Sequence, residues 1–456
     1  MLTRLCPTEI QKTTREETMD QKIARRSFVV GSAAAAGILA APAIRAQTPT
    51  TITFRFNDPE APQMRAALDE FERANPTIKV NMQRISWADM QAQYLREAAT
   101  GTAPDVVHIS FVQPRSFGGG GALRALDDLI KRDGASLGAK GWDDFFARDL
   151  AEGADGKIYA VPWTTDTFTM MYNTEMFAQA GITAFPTSWD GLRAASRTVA
   201  QRTGKAGWGF PAGSCATPSI WFYMNYFFWS NGPGWIDKAA DGKYVMGVTP
   251  AQAQEALEYF KSYIDEGHNP RSNMSVCLWG APELVEAMLS GNTAIASVPD
   301  TVAMEILTKW DQRNPGKKAP FATTPHPGGR NGSVTNFGGR MLGISPNARN
   351  VEQAWRLIRF LVTPEPTFTK HYTNYTPAQR SALTSRNWAP ELAGYPRQLA
   401  NSRSWGPYAT GPVPIPFMWN AVGRAAGSVF IGEKTPAVAA AELHETIARE
   451  LARTQR

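Results

Sequence analysis

From residue 51 onward the chain alternates between two hydrophobic periods. Residues 51–56 read as a strand, and 62–74 carry Met64, Leu68 and Phe71 at helical spacing until Asn75 and Pro76 stop the run. Residues 78–85 alternate apolar and polar positions as a strand does. The helical period returns over 88–99 through Met90, Tyr94 and Ala98, and 106–110 form another short strand. Strands alternating with helices predict a mainly parallel sheet covered on both faces. In such a sheet ligands sit beyond the carboxyl ends of the strands. That rule selects the loop beginning with Asn57, Asp58 and Glu60 and the loop holding Phe111 and Gln113.

The alternation continues along the chain. Strands are predicted over 157–162, 167–172, 207–211, 293–298 and 337–344, and helices over 189–201, 251–266, 282–290, 351–362 and 437–452. There is no internal repeat, low-complexity tract or flexible linker. Pro/Gly-rich stretches fall instead near Val161 and Pro162, near 325–332 and near 374–377. Past the amino-terminal leader about 410 residues remain, more than the ~250 to 300 at which one core usually divides. Two lobes are expected, with the chain visiting each more than once: 47–161 plus 322–373 as the first, 162–321 plus 374–456 as the second.

The leader changes how charge and cysteines are read. Arg25, Arg26, Ser27, Phe28, Val29 and Val30 precede an Ala/Gly-rich apolar stretch over 31–43, followed by small residues around Ala43 and Ala46. This is the order of a twin-arginine export signal. Its apolar run is about half the ~20 residues a spanning helix needs, so a soluble periplasmic protein starting near Gln47 is expected. Met19 is an alternative start to Met1. Removing 1–46 takes away seven basic and four acidic residues, which lowers the formal charge from +6 to +3 and leaves a nucleic-acid-binding patch unsupported. Cys6 leaves with the leader. Cys215 and Cys277 then sit in an oxidising compartment, where pairing and separate burial are both open.

A family resemblance rests on an ordered set of blocks. Gly101, Thr102, Ala103, Pro104, Asp105, Val106 and Val107 form one; Asp155 to Trp163, Asp166, Tyr172 to Phe177, Ala180, Gly181, Pro186, Ser188 and Trp189 form a more specific one. Met288, Gly291, Ala294 and Ile295 follow, then Gly338, Gly339 and Ile344, then Ala354, Trp355, Phe360 and Leu361. The set resembles the extracellular solute-binding proteins of bacterial ABC importers, the group that includes maltose-binding protein. The resemblance implies a two-lobed α/β periplasmic-binding-protein fold of type II, with a multi-crossing hinge that closes on one ligand. It further implies delivery of that ligand to a membrane permease, by a chain expected to act as a monomer.

Sugar pockets set flat apolar faces against ring hydrogens and charged or amide groups against hydroxyls. Trp163, Trp229, Trp279 and Trp405 stand beside Pro, Gly, Ser or Asn rather than inside apolar stripes, and are candidate platforms. Core packing is the competing reading for each, and Trp221, Phe222, Phe228, Trp310 and Trp355 are assigned to it. Asp166 is the favoured hydrogen-bonding residue, because the matched block implies an acidic side chain entering the cleft there. Asp58 and Asp300 are similar candidates. Gly338 and Gly339 suit either close backbone approach to a ligand or an unusual backbone angle, and Arg340 either an acidic ligand group or an exposed surface position. No cofactor or metal site is indicated. A secreted carbohydrate hydrolase is the alternative, although no Gly-x-Ser-x-Gly turn is present and His444 lacks a second His at Ala448.

Overall fold

The computed structural model describes residues 48–455, apart from 58–60, 139, 216–218, 364–369, 372–374, 386–387, 406–407 and 409–410. The export segment and Asp58 therefore lie outside the described residues. The first elements fall where the hydrophobic periods put them: β1 (Thr50–Asn57), α1 (Ala61–Ala74), β2 (Ile78–Ile85), α2 (Trp87–Thr100) and β3 (Val106–Ser110). Local chemistry sets their limits. Ser86 caps α2 by accepting from the Asp89 amide, and Gly101 ends it at a φ of 75° that glycine adopts without steric cost.

The middle of the chain supplies β4 (Val161–Asp166), β5 (Phe168–Asn173), α3 (Trp189–Thr203), β6 (Ala206–Trp208), α4 (Ile220–Asn231), α5 (Pro250–Asp265), α6 (Pro282–Leu289), β7 (Thr293–Pro299) and α7 (Asp300–Arg313). The remainder forms β8 (Phe321–Thr324), β9 (Thr335–Asn336), β10 (Gly338–Ile344), α8 (Val351–Leu361), β11 (Thr376–Pro377), β12 (Ser402–Arg403), α9 (Ile415–Phe430) and α10 (Pro436–Thr454). Helices α4, α7 and α9 escaped the sequence reading. The α4 segment, IWFYMNYFFWSN, is apolar on nearly every face and so has no period to detect; such a helix belongs in a core, and ten of its residues are buried.

Two sheets organise these elements. One has six strands in the order β11-β4-β10-β3-β1-β2, the other four in the order β8-β5-β7-β6. The two-lobed α/β class holds, but the sheets are mixed rather than mainly parallel. Within these two sheets the described parallel pairs are β1–β2, β1–β3 and β6–β7. Pairs involving β4, β5, β8, β10 or β11 are antiparallel. Strands joined by a helix on one sheet run parallel, whereas those flanking a crossing enter from the opposite direction.

The sheets also part at different residues from those the Pro/Gly pattern suggested. Pro162 is not a break: it sits inside β4 opposite Met341, where the register shifts between Arg340 and Met341, an irregularity of the kind that accommodates proline in a sheet. The first crossing is consequently at Thr167, the single residue between β4 and β5. Phe321–Thr324 stay with the second sheet through β5. Thr376–Pro377 stay with the first through β4, and Ser381 beyond them donates from its amide and hydroxyl to Asp144. Thr167 ties the crossings together, with Oγ1 2.7 Å from Thr335 Oγ1, 2.7 Å from the Asn336 carbonyl oxygen and 2.8 Å from Ser402 Oγ.

Candidate ligand site at the lobe crossings

Strand β4 ends at Asp166, opposite Gly338 at the start of β10. The pairing leaves no room for a side chain on β10 there: a Cβ on Gly338 would lie 2.4 Å from Asp166 Oδ1. Gly339 is bound more strictly still, with φ at 128° and a would-be Cβ 2.1 Å from the Thr164 carbonyl oxygen. These glycines let the Asp166 carboxylate close against backbone. Burial and the nearby Asp300 carboxylate push the Asp166 pKa up to about 7, against the opposing pull of Arg340 and of a hydrogen bond from the Gly338 amide. Most of Asp166 is enclosed, yet part of it still reaches solvent.

Asp300 opens α7 directly from β7 and is buried. Its carboxylate accepts from the Thr301 amide at 2.9 Å and from Thr376 Oγ1 at 2.6 Å, so it joins the second lobe to β11 of the first sheet. Arg340 is half-buried, with Cζ 4.6 Å from the centre of the Tyr375 ring. Two carboxylates and a guanidinium thus converge where the chain passes between sheets.

An aromatic shelf adjoins them. Two residues beyond Asp166, Phe168 meets the Trp279 ring edge-on at 4.9 Å, and Phe222 meets it at 4.8 Å. Trp279 and Phe222 both keep partial exposure, as does Trp419, whose ring centre is 6.2 Å from that of Phe222. A sugar ring stacks on such a surface through its carbon-bound hydrogens.

The other candidates are placed differently. Trp163 is 1% exposed and packs with Phe56 and His108, donating from Nε1 to the Leu361 carbonyl oxygen. It is a core residue, because its strand continues past Pro162. Trp229 and Trp405 are also buried, Trp229 under the Arg403 guanidinium and Trp405 against Trp221 and Phe222. Neither offers a free face. Phe111 is buried beneath Gly339, and Gln113 closes its own turn by accepting from the Ser110 amide. Asp166, Trp279, Asp300, Gly338, Gly339 and Arg340 come together. Phe222, Thr376, Tyr375 and Trp419 were missed, since α4 shows no amphipathic stripe and the other three depend on contacts distant in sequence.

A cavity of about 380 Å³ lies elsewhere, between α9 and α10, lined among others by Met274, Arg424, Lys434 and Glu442. It takes no residue from the crossings. Among the described residues no group of three or more His, Cys, Asp or Glu is placed to hold a metal ion, and no helix is long and apolar enough to cross a membrane.

Residues 57–367 match the model of the bacterial extracellular solute-binding protein family. The chain belongs to that family. Solute-binding proteins of this kind bind rather than transform their ligands, which sets the hydrolase alternative aside. A protein of Brucella abortus (strain 2308) that carries a binding-protein name is 25% identical over 293 residues, which is 64% of this chain and 66% of that protein. The diacetylchitobiose binding protein of Streptomyces coelicolor is 24% identical over 214 residues, 47% of each chain. The GacH receptor of Streptomyces glaucescens, solved unliganded and with acarbose, superposes with a TM-score of 0.71 at 19% identity, covering 88% of this chain and 98% of that one. The last likeness carries the two-lobed fold.

Proposed function

We propose that this solute-binding protein captures a sugar or oligosaccharide in the cleft at the three crossings and delivers it to the permease of an ABC importer. The observation that carries this reading is the meeting of a partly exposed Trp279–Phe222 shelf with Asp166, Asp300 and Arg340. Stacking faces and multivalent hydrogen-bonding groups are what a polyhydroxylated ring requires. Relatives that bind diacetylchitobiose and acarbose support the class of ligand. Sheet pairing, together with the packing of α9 and α10 on α4 and α5, supports lobes made of 48–166 with 338–385 and of 168–324 with 388–455. We further read the protein as exported by the twin-arginine route to the periplasm and acting there as a monomer without nucleic acid.

A thermal-shift screen with acarbose, diacetylchitobiose, maltose, tagatose, sugar acids and amino acids tests the ligand class. A sugar at a hundred times its dissociation constant should stabilise the protein by about 2.7 kcal/mol. Shifts from amino acids alone would remove the sugar reading.

A further inference from the structure

A covalent bridge holds the loop that presents Trp279. Cys215 and Cys277 form a disulfide with Cα atoms 6.1 Å apart, across a sequence separation of 62. Cys215 lies between β6 and α4; Cys277 stands two residues before Trp279. Backbone bonds run beside the bridge, from the Gly213 amide to the Val276 carbonyl oxygen at 2.8 Å and from the Ser219 amide to the Cys277 carbonyl oxygen at 2.9 Å. Ser219 is fully buried at the N-cap of α4, but its Oγ makes no cap bond to that helix. It accepts instead from the Trp279 amide at 3.0 Å. One turn into the same helix is Phe222, the partner of the Trp279 ring. Bridge, Ser219, Trp279 and Phe222 are therefore one connected unit.

The unit lies at the edge of the core, with Trp279 packed on Phe168 and Phe222 but its neighbours partly in water. Leu278 is 45% exposed, and Cys277, Trp279 and Gly280 each keep part of their surface in water. A ring packed on one side and open on the other needs its backbone held if it is to meet a ligand without reordering. We propose that the Cys215–Cys277 disulfide is a positioning element for ligand capture, fixing the Trp279 ring against Phe222 and thereby setting affinity. This rests on the reading of Trp279 as a ligand contact. An oxidising compartment keeps the bridge formed.

The test separates the two ideas. Protein labelled with 5-fluorotryptophan, with resonances assigned by single Trp→Phe variants, reads the position of Trp279 without any ligand. In Cys215→Ser/Cys277→Ser the Trp279 resonance should shift or broaden while those of Trp163 and Trp355, in the other lobe, stay in place. An unmoved Trp279 resonance overturns the proposal. If the double variant does not fold, phosphine reduction of the folded wild-type protein, followed by alkylation, gives the same comparison. For binding, titration calorimetry with acarbose, diacetylchitobiose and maltose should show affinity falling about tenfold in the double Ser variant and in Trp279→Ala, with no further fall when the changes are combined. Additive losses would place the action of the bridge elsewhere and overturn the proposal. If no sugar of the thermal-shift screen binds wild-type protein, the sugar reading fails while the fluorine spectrum still decides the positioning role.

Discussion

Asp166 carries opposed demands at the residue scale. A carboxylate whose folded pKa is raised from its ordinary value of 3.8 to about 7 keeps a proton that the unfolded chain has already lost between those values. The native state is therefore favoured at low pH, loses that advantage as pH rises from about 4 to about 7, and bears the whole cost above 7. Three pKa units bound that cost at about 4 kcal/mol. Asp166→Asn should raise the ligand-free melting temperature at pH 8 and leave it unchanged at pH 4; equal shifts at both would show that the gain is not electrostatic. The same position should matter for capture, with Asp166→Ala lowering sugar affinity at least about tenfold by calorimetry through the loss of charge-assisted hydrogen bonds. Gly339 is constrained by space rather than charge. Gly339→Ala should cost about 2 kcal/mol or more in denaturant unfolding, since its Cβ collides with the Thr164 carbonyl oxygen at an unfavourable φ.

At the scale of elements, the crossings are held by a small buried hydroxyl network. Thr167, Thr335 and Ser402 share hydrogen bonds that link the β4–β5 crossing to the β9–β12 pair. Thr167→Val keeps the shape and removes the shared hydroxyl, leaving buried partners short of a bond. Unfolding should show a loss of about 1 to 3 kcal/mol. A neutral result would mean that Thr335 and Ser402, which already lie 3.0 Å apart, satisfy each other. Helix α4 illustrates why composition misleads at this scale. Phe222, assigned to packing, does pack edge-on against the Trp279 ring, yet keeps part of its own surface exposed. Trp229, beside Ser230, Asn231 and Gly232, was read as a platform and is buried. Neighbours in sequence report the loop, not the direction in which a ring points.

For the whole molecule, candidate groups come from both sheets. Gly338, Gly339 and Arg340 lie on β10 of the first, while Asp300 and Trp279 belong with β7 and the loop before α6. A ligand touching both sets is best bound when the lobes meet, so it shifts the population toward a closed form. Small-angle scattering with a saturating sugar should show a smaller radius of gyration, and tryptophan fluorescence should change with the same midpoint. Tight binding with superimposable scattering curves would exclude closure.

Hydrophobic period by itself placed β2 and β3 residue for residue, and placed α1, α2, α3 and α8 to within a few residues, because a regular element must show one face to the core whatever surrounds it. The order of blocks from Gly101 to Leu361 was sufficient to indicate the family. Asp166 could be selected through the family blocks, and Gly338 and Gly339 for close backbone approach, but that they lie opposite one another was decided by strand pairing. Tertiary structure decided the rest. The direction of β4 and β10, the crossing at Thr167, the pairing of Cys215 with Cys277, and the separation of Trp279 from Trp163, Trp229 and Trp405 all depend on residues tens to hundreds of positions apart. No local period or neighbouring residue records such a distance; only the packed sheets bring those residues together.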